Sequence, residues 1–147
     1  MILMILLSLL QVSEPDPQRV RVLYEAAAFR RDSSLRLTQL LSPVTVDGTP
    51  LMRCYKGAAN MLEAKYAKDP FTKLAYFGKG KDWIEQAIAA DTSQAEMRYI
   101  RLAIQENLPA ILNYKAAIAK DRAFLKAQLK ELKDPALQSA ITKYLER

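Results

Sequence analysis

An all-α fold, built from antiparallel helical hairpins with about six or seven helices, is predicted by three features of the sequence. Only four glycines stand against abundant alanine, leucine, lysine, glutamate and glutamine, residues whose intrinsic preference is helical. Proline follows an N-cap residue at Asp16-Pro17, Thr49-Pro50, Asp69-Pro70 and Asp134-Pro135, the pairing expected where a helix begins and a missing N–H costs nothing. Apolar residues also recur at helical spacing, most clearly in Trp83–Leu102. There Ile84, Ala87 and Ile88 precede an Asp91-Thr92-Ser93 turn, and Met97, Ile100 and Ile104 follow it.

In chain order, Met1 to Leu10 is an uncharged apolar run too short to span a bilayer as a helix. Polar Gln11, Ser13 and Glu14 follow, so residues 1–13 read as a signal peptide or, alternatively, as the opening turn of a buried helix. Residues 14–147 form the single domain. Its helices are expected at 17–31, 34–41, 50–67, 70–90, 93–106, 109–132 and 135–146. Ser33 or Ser34, Asp91 or Ser93, and Asn107 serve as the N-caps that lack a proline. The fourth helix is expected to break at Gly78 and Gly80. Alternation at Pro43–Val46 is too short for a sheet, which leaves 42–49 as a loop turned by Asp47-Gly48. Leu51, Tyr55, Ala58, Ala59, Leu62 and Tyr66 make one apolar stripe. Leu137, Ala140, Ile141, Tyr144 and Leu145 make another.

Two absences narrow the chemistry. The chain has no histidine, and Cys54 is its single cysteine. Ser-His-Asp and Cys-His catalysis, His-ligated zinc, thiolate clusters and an internal disulfide are therefore excluded, and no cofactor or metal site is expected. Cys54 lies on a helix and reads as a small buried hydrophobe. The formal net charge of +6 is spread along the chain, without the basic stripe and stacking aromatics of a nucleic-acid binder. Residues 115–133 form a basic amphipathic helix. Packing of Ile118, Leu125, Leu129 and Leu132 is the expected use of its apolar side, rather than contact with a membrane surface.

Ala87, Ile88, Asp91, Ala95 and Glu96 resemble the join between successive tetratricopeptide repeats over about twenty residues. Where the following helix of that family carries its large packing residues, this chain has Arg98, Arg101, Leu102 and Gln105, and no second copy recurs at the repeat period. The fold is thus tetratricopeptide-like without a regular array. A longer resemblance runs through Tyr55-Lys56-Gly57-Ala58, Asp69-Pro70-Phe71-Thr72-Lys73-Leu74, Tyr76-Phe77, Gly80-Lys81, Glu96 to Ile104, Asn107 and Pro109. These segments are similar to a group of small exported helical proteins of Gram-negative bacteria that carry no assigned activity. The resemblance implies a helical fold and a periplasmic or extracellular place, and it supplies no catalytic residue.

Arg98, Arg101 and Gln105 are spaced three and four apart, on one side of a helix, with Glu96 and Asn107 nearby. Two guanidinium forks so placed can hold a carboxylate or phosphate of an anionic small molecule or polymer. The competing reading is an internal ion-pair network whose acids come from Asp121, or from Asp82 and Glu85. Lys73, Lys79 and Lys81 beside Tyr76, Phe77 and Trp83 form a basic-aromatic segment, although Gly78-Lys79-Gly80-Lys81 lacks the spacing of a phosphate loop. Tyr55, Lys56, Lys73 and Lys81 complete the candidate binding set. The expected function is non-enzymatic: a helical binding or scaffold protein of the cell envelope that receives a peptide or protein partner in a helix-lined groove.

Overall fold

Three aspartates cap the helices that follow them. In the computed structural model, which describes residues 13–147, Asp16 accepts from the Arg19 N–H, Asp69 from Thr72 and Asp134 from Ala136 and Leu137. They open α1 (Pro17–Ala27), α4 (Pro70–Ala90) and α7 (Pro135–Leu145). Thr49 precedes α3 (Pro50–Tyr66) without a side-chain cap. Its N–H and hydroxyl instead donate to Glu14 at 2.6 and 2.7 Å, which ties the start of the domain to the 42–49 loop. The expected signal peptide falls on residues 1–12, outside the described part, apart from Ser13.

The unmarked helix starts differ from expectation. Helix α2 (Arg31–Leu41) begins ahead of Ser33 and Ser34, both of which are buried inside it. The Ser34 hydroxyl lies 3.4 Å from Glu63 of α3, so the interior supplies the partner that a capping role would have supplied. Before α5 (Ala95–Asn107) neither Asp91 nor Ser93 is the cap. Both Ser93 donors turn back onto Asp91, and Gln94 holds the N-cap position without a side-chain bond. Asn107 ends α5, with its amide donating to Ala103 at 2.7 Å, rather than starting the next helix.

The expected helix over 109–132 is three pieces: a 3-10 turn at Ala110–Leu112, helix α6 (Ile118–Gln128) and a 3-10 turn at Leu129–Glu131. Asn113, at φ 49°, adopts the left-handed conformation that asparagine tolerates best after glycine. That bend carries Tyr114 into the core, where it is 5% exposed. Helix α4, by contrast, runs unbroken through Gly78 and Gly80. A Cβ on Gly80 would lie 2.8 Å from the Gly57 carbonyl, and one on Gly57 would lie 2.8 Å from the Gly80 carbonyl and 2.7 Å from Ile84 Cγ1. The two glycines are needed for close approach of α3 and α4, the most extensive helix pair in the molecule.

Seven α-helices and no strand make up the described residues. Helix α3 lies in the middle of a core formed with α1, α2, α4 and one side of α5, and includes Val20, Leu37, Met52, Tyr55, Ile84 and Met97. A second cluster joins Leu102 on the other side of α5 to Leu125, Leu137, Ile141 and Tyr144. The hairpin at Trp83–Leu102 is present as expected, and α5 serves as the wall shared by the two cores.

Gly57→Ala should lower unfolding free energy in a urea titration by about 1–3 kcal/mol, because an added Cβ would lie within 3.0 Å of the Gly80 carbonyl, the Trp83 Cβ and Ile84 Cγ1, atoms held by the α4 backbone. Gly78→Ala, where an added Cβ meets nothing within 4 Å, should raise it by about 0.5–1 kcal/mol.

Candidate functional site

Helix α5 carries four buried polar side chains, Glu96, Arg98, Arg101 and Gln105, and its register turns them in two directions. Arg98 and Arg101 meet α6. Asp121, with no exposed surface, accepts from Arg98 Nη1 at 3.0 Å and from Arg101 Nε and Nη2 at 2.7 and 2.8 Å. The remaining Arg98 donors reach the Thr92 carbonyl, and its guanidinium lies 4.6 Å over the Phe124 ring. Arg101 Nη1 donates to both oxygens of Glu85 on α4, which also accepts from the Tyr114 hydroxyl at 2.6 Å. Burial works against the charge on Arg101, but the Asp121 and Glu85 carboxylates outweigh it and hold the guanidinium more firmly protonated than usual. Both guanidinium groups are thus engaged internally, Arg101 by two carboxylates and Arg98 by Asp121 and the Thr92 carbonyl, and each residue is 6% exposed. The geometry is that of an ion-pair network joining α4, α5 and α6. Asp121 and Glu85 supply the acids, while Asp82 is exposed outside it.

Glu96 points the other way. It accepts Arg21 Nε and Nη2 at 2.9 and 3.0 Å and the Tyr55 hydroxyl, and Arg21 Nη1 reaches Asp134 at 2.9 Å. The N-cap of α7 is thereby bound to α1 and α5. Burial and the Glu96 carboxylate hold the Tyr55 phenol protonated well above its ordinary range. Beside this group lies a cavity of about 50 Å³, lined by Arg21, Tyr24, Tyr55, Glu96, Tyr99 and Leu137. Cys54, next to Tyr55 in the chain, is fully buried, and burial, reinforced by the Glu96 charge, pushes its thiol far up.

A larger and more open groove of about 230 Å³ runs between α2, α3 and α4. Lys56, Asn60 and Glu63 stand on its α3 floor, Thr38 on α2 with Ser42 just past its end, and Tyr76 on α4. Lys56 Nζ donates to the Ser42 and Val44 carbonyls and lies 5.3 Å over the Trp83 ring. The Asn60 amide donates to Lys56 O at 2.9 Å, which leaves its carbonyl to accept. Glu63 receives both Arg31 amines at 2.7 and 3.0 Å and the Thr38 hydroxyl at 3.2 Å. These bonds, the Arg31 fork foremost, lower its pKa.

The sequence-predicted set therefore divides. Arg98 and Arg101 share one network, and Gln105, 1% exposed on the same helix, leaves its Oε1 without a donor. Tyr55 belongs to the Glu96 group and Lys56 to the groove. Lys73 caps the α3 end through the Ala64 and Lys65 carbonyls, each at 3.2 Å. Lys81 lies 5.2 Å over the Tyr114 ring, Lys79 is 5.8 Å over Tyr76, and Asn107 stands apart and exposed. Asn60 and Glu63 were missed, although with Lys56 their spacing of four and three marks one polar stripe of a helix. Arg21 carried no local signal, because its partners lie 75 and 113 positions away in the chain. Among the described residues no cluster of acids and cysteine is arranged to hold a metal ion, and no helix is long and apolar enough to cross a membrane. The chain matches no protein-family model, no curated protein and no solved structure.

Asp121→Ala should destabilise the fold by about 3–5 kcal/mol in chemical denaturation, since two arginines would be left buried beside an empty site. Glu63 is expected to contribute to pH dependence with a definite sign. Its depressed folded pKa adds stability above the ordinary glutamate range, and that contribution is lost as pH falls through the folded value. Urea midpoints measured downward from pH 5 should therefore fall more steeply for the wild type than for Glu63→Gln. Ellman's reagent should titrate Cys54 only once the protein is unfolded.

Proposed function

We propose that this protein is a non-enzymatic binding protein of the cell envelope that receives an extended peptide segment of a partner in the groove between α2, α3 and α4. The observation that carries this reading is the composition of the groove floor. Along one face of α3 stand a cationic donor at Lys56, with two of its three N–H groups on the Ser42 and Val44 carbonyls, an amide at Asn60 whose carbonyl is left to accept, and a carboxylate at Glu63 that shares its oxygens with Arg31 and Thr38. A peptide backbone presents N–H and C=O groups in alternation, so a floor of mixed donors and acceptors matches it better than it matches a purely anionic or apolar ligand. Tyr76 on the α4 wall adds an aromatic surface for a side chain.

The arginines of α5 are a weaker basis for recognition, because their donors already face Asp121, Glu85 and the Thr92 carbonyl. The envelope placement rests on the apolar run at the start of the sequence and on the resemblance to exported helical proteins. The tetratricopeptide-like turn between α4 and α5 supports a binding role by analogy of fold.

Panning a phage-displayed random peptide library against the full chain tests the reading. Enriched peptides should bind the wild type and lose affinity by roughly tenfold or more with Asn60→Arg, which fills the groove from a half-buried surface position. A library that yields no binder, or binders indifferent to Asn60→Arg while the variant melts like the wild type, would remove the groove from consideration.

A further inference from the structure

One end of the helical bundle carries apolar side chains that the fold leaves uncovered. The turn between α1 and α2 is held against the C-terminal end of α3, where Lys65 Nζ donates to the Ala28 carbonyl and the Tyr66 hydroxyl to Ala27 O at 2.8 Å. Helix α4 starts from that same end after the turn at residues 67–69. Phe29, in the first turn, is 88% exposed, while Phe71 and Leu74, on the first turns of α4, are 85% and 56% exposed. Single exposed hydrophobes are ordinary on a soluble surface. Two phenylalanines displayed almost completely on adjacent turns are not explained by packing.

The charge around them has one sign to spare. Asp32 is paired with Arg30 at 3.0 Å, Glu63 with Arg31 at 2.7 Å, and Asp69 accepts from the first turn of α4. Lys65, Lys68 and Lys73 have no carboxylate partner among the described residues; Lys65 and Lys73 donate only to main-chain carbonyls, so no anion neutralises the three ammonium charges. Exposed aromatic and aliphatic tips and these lysines share one end of the bundle, an apolar and cationic surface. Neither the cavity beside Glu96 nor the groove on α3 includes any of these apolar tips.

We propose that this end of the bundle docks on an anionic phospholipid bilayer. Phe29, Phe71 and Leu74 enter the interface, and Lys65, Lys68 and Lys73 meet the headgroups. Apolar area and attraction to anionic lipid act together in such binding, and each basic residue near the surface contributes. A second copy of the chain is the poorer occupant, because a symmetric contact would bring the lysines of both copies together. The membrane contact weighed in the sequence concerned residues 115–133. Those residues instead pack Ile118, Leu125, Leu129 and Leu132 into the second core, and the lipid surface lies at the opposite part of the domain's sequence.

Co-sedimentation of the full chain with phosphatidylcholine vesicles, with and without phosphatidylglycerol, at low salt provides the test. Binding should require phosphatidylglycerol and weaken as salt is raised. It should fall by about tenfold or more in the double variant Phe29→Ser, Phe71→Ser, fall also with Lys68→Glu, and stay unchanged with Val46→Ser, an exposed apolar position in the loop ahead of α3. The wild type failing to sediment with anionic vesicles would overturn the proposal, as would sedimentation that the phenylalanine variant leaves intact. Concentration-dependent dimerisation in sedimentation velocity that Phe29→Ser abolishes would overturn it in favour of a second copy. All three arms are independent of the groove, whose variants leave this end untouched.

Discussion

A carboxylate with no exposed surface, Asp121, is the point on which the arrangement of α4, α5 and α6 depends. A lone charge in that position would be prohibitively costly. Two arginine forks neutralise it and satisfy its oxygens, and those arginines are themselves accommodated only because Glu85 and the Thr92 carbonyl take their remaining donors. The network is therefore mutually dependent in a way that apolar contacts are not. Leucine can repack around a neighbour, whereas a guanidinium fork requires its carboxylate in one plane at one distance. This requirement fixes the register of α5 against α6 more narrowly than the leucine contacts of the second core could.

The same helix answers a second, oppositely directed demand. Glu96 binds Arg21 and Tyr55 on the face turned toward α1 and α3, and Arg21 passes the connection to Asp134, the capping residue of α7. Helix α5 is thus a polar spine between two apolar clusters, with Met97 and Ile100 packed into one and Leu102 into the other. Arg98 and Arg101 carry charges whose partners come from α4, α6 and the turn before α5. With those charges satisfied internally, the recognition surfaces we propose lie elsewhere, at the α3 groove and the uncovered turn end.

Much of the architecture was readable locally. Asp16, Asp69 and Asp134 cap their helices as an aspartate before proline should, since cap and first turn are neighbours in the chain. The stripes of α3 and α7 bury Tyr55, Ala58, Ile141 and Tyr144 as their spacing requires. Of the candidate site, the cluster of Arg98 and Arg101 was readable, as was the idea that Asp121 and Glu85 could be its acids. The set around it was not. Lys56, Lys73 and Lys81 were grouped by type, but they face a groove, a helix end and a tyrosine ring on different sides of the bundle.

Sequence alone therefore determined the all-helical class, the three aspartate-capped helix starts, the apolar faces, and the exclusion of histidine and thiolate-cluster chemistry, because these follow from residue type and spacing within a few turns. Only the tertiary structure decided that Gly80 joins two helices rather than breaking one, that the bend at Asn113 carries Tyr114 into the core before α6, and that the arginines of α5 face carboxylates inside the fold. In each case the deciding atom belongs to a residue distant in the chain: the Gly57 carbonyl, the Glu85 carboxylate, the Asp121 oxygens. A helix pattern states which side of a residue is apolar. Which backbone or charge will stand opposite it is set by how the helices pack.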